Sequence, residues 1–219
     1  MDAAPFFIGQ RSVARKTGWI RSIASAIAKI LVGFWLLFVL ARVAPSLLLT
    51  GWIGMLGLIL ILHFGLFQLL ALSWQAVGVD AKPIMNAPWR SVSLSEFWSC
   101  RWNGAFNRLA LEFVLRPFAR PFGIPRAMLS AFLVSGLVHE LAISLPARGG
   151  YGLPTAYFLL QGWGVLAERT PVGKRLGLGT GVRGRIFTIL ITAIPAFGLF
   201  HPPFVSQVIV PFMQAIHAL

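Results

Sequence analysis

Long apolar blocks alternate with short basic stretches along this chain. The first block covers residues 24–44 and stops at Pro45; the second covers 47–74 and is long enough to span a bilayer with some tilt. Residues 127–145 and 152–167 follow as a third and a fourth, joined by a short loop from Pro146 to Gly150. A fifth covers 186–200, Pro202 and Pro203 break the chain, and a sixth runs on from there. The pattern predicts an all-α fold, a polytopic integral membrane helical bundle of about six transmembrane helices. No internal repeat or low-complexity linker divides it, so residues 1–219 are expected to form a single membrane domain. Gly51, Gly54 and Gly57 in the second block offer notches for a neighbouring helix.

Residues 77–126 break the apolar pattern. They hold Lys82, Arg90, Arg101, Arg108, Arg116, Arg120 and Arg126 together with Trp89, Trp98 and Trp102. Such a stretch suits an amphipathic helix at the headgroup level. Ser93 and Glu96 form a capping box, and Val92 and Phe97 a hydrophobic staple, at its start. Gly104 weakens its middle and Pro117 is expected to end it. On that helix Glu96, Ser99 or Cys100, and Asn103 recur at spacings of three and four, hence on one face, and Arg108 and Glu112 make an i,i+4 pair.

Composition agrees with a membrane protein. Of 219 residues 57% are hydrophobic and 11% charged, too little polar surface for a soluble globule. The net charge of +13 comes without a nucleic-acid-binding motif, so nucleic acid is not an expected partner. The charges instead sort by side. With a cytoplasmic N-terminus, the basic arm 1–22, the segment 77–126 and the Gly-rich loop 168–185 bring sixteen basic residues to the cytoplasmic side. Arg42 and Arg148 face the other side, and Lys29 lies near the start of the first block, where it can snorkel. This implies six crossings with both termini cytoplasmic. No cleavable signal peptide is seen, and a bacterial cytoplasmic membrane is the expected location. Cys100 is the single cysteine, so no intrachain disulfide forms, and no metal-binding motif is present.

Ionisable groups inside apolar blocks are the candidates for chemistry. His139 and Glu140 stand together in the third block; an imidazole there can take a proton from a hydroxyl or can serve as a structural histidine. Glu140 is about 100° from His139 around a helix and reads first as structural. His63, in the second block, has no nearby acid and reads as a packing residue. His201 begins the break after the fifth block. Asn103 carries an amide of the kind that stabilises an oxyanion, or is an ordinary polar residue on a wet helix face. Gly179, Gly181 and Gly184 match GxGxxG, but no strand precedes them, so they read as a flexible loop.

The run SVSLSEFWSCRWN, residues 91–103, resembles the SLxDFWxRRWN-type signature of the wax-synthase branch of membrane-bound O-acyltransferases. FLVSGLVHELAI, residues 132–143, resembles that branch's FxxSGLxHE signature, and LFHPPFVSQVIVPF, residues 199–212, is similar to its C-terminal segment. The resemblance covers residues 83–215. It implies transfer of an acyl group from an acyl thioester, usually acyl-CoA as co-substrate with no other cofactor, to the hydroxyl of a hydrophobic or small alcohol. It further implies His139 as general base beside a substrate tunnel, Asn103 as the second catalytic polar residue, and Trp98, Arg101, Trp102, Ser135 and Glu140 as substrate contacts. Arg90, Arg101 and Arg108 would meet the phosphates of CoA. The chain departs from the pattern in having about two membrane segments before the FW motif, and Cys100 stands where the signature often has an arginine. The other classes weighed are a non-catalytic membrane scaffold, in which His139 would tolerate replacement, and a small transporter, which would show matched broken helices.

Overall fold

The computed structural model describes residues 18–219; Arg11, Arg15 and Lys16 of the basic arm lie outside the described residues. Every regular element among the described residues is helical. They fall into two compact units, residues 18–85 with 213–219, and residues 86–212.

The first unit is built on two long helices, α1 (Trp19–Val43) and α2 (Leu47–Ala76), each long and apolar enough to cross a bilayer. Pro45 separates them, and Ser46 caps α2 by accepting the Leu49 N–H. They pack where side chains are smallest: a Cβ on Gly57 would lie 2.7 Å from the Gly33 carbonyl oxygen. Of the three notches expected, Gly57 meets α1 and Gly54 meets Met213. Lys29 sits ten residues into α1, about 15 Å along its axis. Its Nζ donates to Gln68 Oε1 at 2.8 Å, while Gln68 Nε2 donates to the Ser22 carbonyl at 3.0 Å. Arg42 likewise does not stand free, for it donates to the carbonyls of His217 and Ala218. His63 packs edge-on against Phe67.

The second unit contains α3 (94–101), α4 (104–122), α5 (Ile124–Ala147), α6 (Leu153–Arg169), the short α7 (Pro171–Leu176), α8 (Gly181–Leu199) and the beginning of α9 (202–215). Of these, α5 and α8 have the length and composition of spans. Helix α6 has 17 residues and α9 is shorter still. Four candidate spans are therefore present among the described residues. Their outward faces carry exposed Ile20, Leu31, Trp35, Val138, Leu141 and Ile186 among many others, a surface suited to lipid. The protein is an integral membrane protein.

At the centre of this unit α5 and α6 form an antiparallel hairpin. Gly136 lets α6 come so close that a Cβ there would be 2.7 Å from Thr155 Cα. Farther along, Gly162 admits Phe132 and Leu129. The buried core joins Leu94, Met128 and Val165, with Trp98, Phe132, Phe187 and Ile191 against them. Pro117 does not end the amphipathic stretch: α4 continues through it to Gly123, whose φ of 78° makes the turn into α5. The backbone widens to i→i+5 bonding over Leu111–Leu115 just before Pro117, which relieves the clash a proline ring meets in a regular helical turn. The chain breaks earlier, at Trp102 and Asn103.

The turn between α5 and α6 is closed by a buried polar cluster. His201 is fully buried, and its Nδ1 accepts the Phe204 N–H at the start of α9. The ring proton therefore sits on Nε2, 3.2 Å from Ser144 Oγ, which in turn reaches the Gly150 carbonyl. Gly150 has a φ of +71°, and a Cβ would fall 2.3 Å from the His201 ring. Gly150→Ala is expected to destabilise the protein by about 3 kcal/mol, combining left-handed strain with overpacking. Thermal unfolding in nanodiscs measures this, and an unchanged midpoint would contradict the packing described.

Candidate active site

Helix α3 is short, yet its N-terminus is fully satisfied. The first helical N–H groups have no intrahelical partner and need other acceptors. Ser93 Oγ accepts from Glu96 N at 3.0 Å, and Glu96 Oε2 accepts from Val92 N at 2.8 Å, one residue before the position the capping box predicts. Glu168, from the end of α6, takes the remaining two: Oε2 accepts from Leu94 N at 2.9 Å and Oε1 from Ser95 N at 2.8 Å. Glu168 is buried. It was missed from the sequence because the apolar pattern ends the fourth segment at residue 167.

Downstream, α3 stops at Arg101. Asn103 takes a left-handed backbone, φ 44°, and caps α4 by accepting the Phe106 N–H on Oδ1 at 3.2 Å. Glu96, Ser99 and Asn103 therefore do not share one helix face, because Asn103 opens the next helix. The Arg108–Glu112 pair does not form either; the one ion pair among the described residues is Arg101–Glu96, at 2.6 Å. Asn107 Nδ2 ties α4 back to the Trp98 carbonyl at 2.7 Å and to the Ser99 carbonyl.

The Trp98 indole is oriented by Gln161, whose Oε1 accepts from Nε1 at 3.3 Å. Gln161 is fully buried, and its Nε2 donates at 2.8 Å to the carbonyl of Ile191. That carbonyl needs an outside donor, since four residues on stands Pro195, which has no N–H. Gln161 thus links the kink of α8 to the aromatic wall. Gln161 and Glu168 are seven apart on α6 and share a face; two polar residues at that spacing in an apolar helix were the signal available in the sequence.

His139 lies in the last regular turn of α5, where the backbone widens to i→i+5 bonding over Glu140–Ser144. Its Nδ1 is 2.7 Å from the Ser135 carbonyl oxygen. A carbonyl only accepts, so the proton belongs on Nδ1 and the lone pair on Nε2. The imidazole packs on Phe158, ring centroids 4.3 Å apart.

These elements enclose a cavity of about 230 Å³. His139, Ser135, Phe158, Trp98, Trp102 and Asn103 line it. Its wall is mainly aromatic and aliphatic, with a few polar groups, as substrate sites are. The cavity reaches the surface beside exposed Ser99 and Arg169. Five of the seven residues expected at the site from the sequence thus meet around one space.

Arg101 and Glu140 are not among the residues that line it. The Arg101 guanidinium is engaged by Glu96 Oε1 and by the carbonyls of Asn86 and Ala87. Glu140 turns away to cap α6, where Oε1 accepts from Gly152 N, Thr155 N and Thr155 Oγ1, at 2.9–3.0 Å. Cys100 is exposed and next to Ser99, but is not in the lining. No cluster able to hold a metal ion occurs among the described residues.

The Glu96 carboxyl is held below its ordinary value, first by the Val92 N–H and further by Arg101, against the opposing effect of burial. A carboxyl more acidic in the folded state stabilises it fully above its unfolded value, near 4.5, and this stabilisation is lost as pH falls through the folded value. The stability advantage of the native protein over Glu96→Gln should accordingly hold at neutral pH and shrink in acid. Melting curves of both proteins from neutral to acid pH test this; a gap independent of pH speaks against it.

Fold and cavity together define a helical integral membrane protein with a histidine-bearing pocket inside its bundle. The profile of the Membrane bound O-acyl transferase family matches residues 81–160, the stretch that supplies α3, α4, α5 and the start of α6. Probable long-chain-alcohol O-fatty-acyltransferase 2 of Arabidopsis thaliana is 39% identical over 101 residues, 42% of this chain and 29% of that protein. Probable long-chain-alcohol O-fatty-acyltransferase 3 of the same plant is 36% identical over 134 residues, 57% of this chain and 39% of its own. Long-chain-alcohol O-fatty-acyltransferase of Simmondsia chinensis is 28% identical over 163 residues, 66% of this chain and 46% of that protein. The chain spans under half the length of each of these relatives. No solved structure matches. Residues 81–160 are thus similar to the Membrane bound O-acyl transferase family, and the relatives this chain resembles are long-chain-alcohol O-fatty-acyltransferases.

Proposed function

We propose that this protein transfers an acyl group from a thioester, acyl-CoA, to the hydroxyl of a long-chain or other hydrophobic alcohol. The observation that carries the proposal is the His139 ring, with Nδ1–H donated to the Ser135 carbonyl and the Nε2 lone pair left as the base, on the wall of an aromatic cavity. The names of the plant relatives supply the class of reaction.

In this reading Nε2 takes the alcohol proton as the hydroxyl oxygen attacks the thioester carbonyl. A C–O bond forms, and the amide hydrogens of Asn103 steady the oxyanion. The C–S bond then breaks, and the imidazolium returns its proton to the leaving thiolate. The products are one ester and one thiol; no covalent acyl-enzyme and no metal is involved. Trp98, Trp102 and Phe158 provide apolar walls that exclude water, so that the alcohol and not hydroxide is the nucleophile.

The orientation belongs to the same proposal. Sixteen basic residues gather on one side only if α6 crosses the membrane, and with α9 also crossing there are six crossings and both termini are cytoplasmic. The segment 88–122 then lies along the cytoplasmic interface, beside the thioester supply. A bacterial cytoplasmic membrane remains the proposed location.

The test is ester formation by the full chain in nanodiscs, supplied with radiolabelled acyl-CoA and alcohols of graded length. Ester and free thiol appearing in equal amounts support the reading. Folded protein that makes no ester from any alcohol in the series overturns it.

A further inference from the structure

Four polar side chains line the inner part of the cavity, and they come as two pairs four residues apart: Asn103 and Asn107 on α4, Ser135 and His139 on α5. Helices α4 and α5 pack on one another beside the turn at Gly123, and Asn107 and His139 each lie sixteen residues from it. Toward the turn the wall is continued by Leu111, Leu115, Met128 and Phe132. The space is therefore amphiphilic, with a polar end at His139 and an apolar slot beyond it.

Hydrogen bonds within the protein use up the hydrogens of three of these groups and leave their lone pairs. Ser135 Oγ donates its one hydrogen to the Ala131 carbonyl at 2.9 Å. Asn107 Nδ2 donates to the Trp98 carbonyl at 2.7 Å and to the Ser99 carbonyl. Carbonyls only accept, so this amide cannot be turned over, and Oδ1 points away from them. No group among the described residues donates to Ser135 Oγ or to Asn107 Oδ1, and Oδ1 is not sealed in the protein as the unpartnered Glu140 Oε2 is. His139 Nε2 is the third lone pair. Asn103 differs, since its Oδ1 is taken by the Phe106 N–H. A simple alcohol brings one O–H hydrogen to this end, and acyl transfer gives that hydrogen to Nε2. Nothing in such an alcohol satisfies the other two acceptors once it displaces water from them. A second hydroxyl beside the first supplies the missing donor.

We propose that the acceptor is a hydrophobic molecule with two neighbouring hydroxyls, a long-chain vicinal diol, and that Ser135 Oγ, assisted by Asn107 Oδ1, receives the hydroxyl that is not acylated. This rests on the acyltransferase reading above for the ester, but not for the recognition of the diol. One hydroxyl oxygen forms the C–O bond to the acyl carbon. Its proton passes through His139 Nε2 to the thiolate released as the C–S bond breaks, and the second hydroxyl stays intact. The products are a hydroxy monoester and a thiol. Ser135 then has two functions: its carbonyl fixes the tautomer of His139, and its hydroxyl oxygen selects the acceptor.

The experiment compares native protein and Ser135→Ala in nanodiscs, with acyl-CoA as donor and three acceptors of one chain length: the vicinal diol, the simple alcohol, and the diol with its second oxygen methylated. The methyl ether keeps that oxygen but has no hydrogen to donate, so it separates hydrogen bonding from size and polarity. Native kcat/KM on the diol should exceed that on either of the other two about tenfold, the equivalent of one hydrogen bond, and the product should be the monoester. In Ser135→Ala the ratio should collapse toward unity. The hydrogen bond this variant loses lies within α5, so it should melt with the native protein. Equal native turnover of diol and simple alcohol, a methyl ether as good as the diol, or a diol preference that Ser135→Ala keeps overturns the proposal and leaves the acyltransferase reading standing. If native protein makes no ester, binding of the same three compounds decides. Preference for the diol over its methyl ether in native protein but not in Ser135→Ala means that the acyltransferase reading fails and the diol site stands; equal binding overturns the site as well.

Discussion

His139→Ala is expected to lower ester formation by about 10²–10⁴-fold, the contribution of a positioned general base. The loss should fall on kcat, because the proton transfer occurs in the transition state and the cavity walls that hold the donor stay in place. The fold should survive, since His139 is half-buried and the hydrogen bond it makes is to a carbonyl of its own helix. His139→Gln is the sharper variant: its amide keeps polarity and much of the volume but has no basic lone pair, so it should lose as much activity as alanine. Labelled-ester turnover on native and variant proteins of equal melting temperature decides this. Equal turnover by all three would remove His139 from the chemistry.

Glu168→Ala should unfold or loosen the site without touching substrate. It strips the acceptors from the N–H groups of Leu94 and Ser95, leaving two donors at a buried helix start. One unsatisfied buried group costs about 1–3 kcal/mol, so a loss of about 2–5 kcal/mol is expected. Helix α3 carries Trp98 and leads into Asn103, so ester formation should fall together with stability. Glu168→Gln keeps one acceptor and turns an NH₂ toward the other N–H, and should lie between alanine and native. Thermal unfolding in nanodiscs is the measurement. An alanine variant as stable as the native protein would mean that α3 is anchored by other contacts.

His139 lines the cavity and Glu168 anchors a helix that helps to form it, yet they were not equally visible beforehand. His139 was legible because an ionisable group in an apolar block is conspicuous and because SGLVHE resembles a known signature. Glu168 was hidden by its place at the end of a block, where a charged residue reads as the first of a loop. Arg101 and Glu140 stood inside the same signatures as His139 and were expected at the substrate, but the fold uses them as clasps, one on α3 and one on α6. A motif records that residues occur together and not which of them turn inward. Asn103 illustrates the limit of helical spacing. Counting threes and fours from Glu96 assumes a continuous helix, whereas a left-handed residue at 103 ends one helix and caps the next.

By itself the sequence determined that the chain is helical and membrane-integral, where its long apolar segments lie, that basic residues crowd the stretches between them, and that an intramembrane histidine and a tryptophan-rich stretch are its chemical candidates. These follow from length, periodicity and composition, which act locally. Tertiary structure alone decided how the candidates meet. The bond from Trp98 to Gln161 spans 63 residues and those from Leu94 and Ser95 to Glu168 span 74 and 73. Only folding could pair Gln161 with the carbonyl that Pro195 leaves without a donor. The reason is physical: a buried polar group must find its partner wherever close packing brings one, and close packing is a property of the whole bundle.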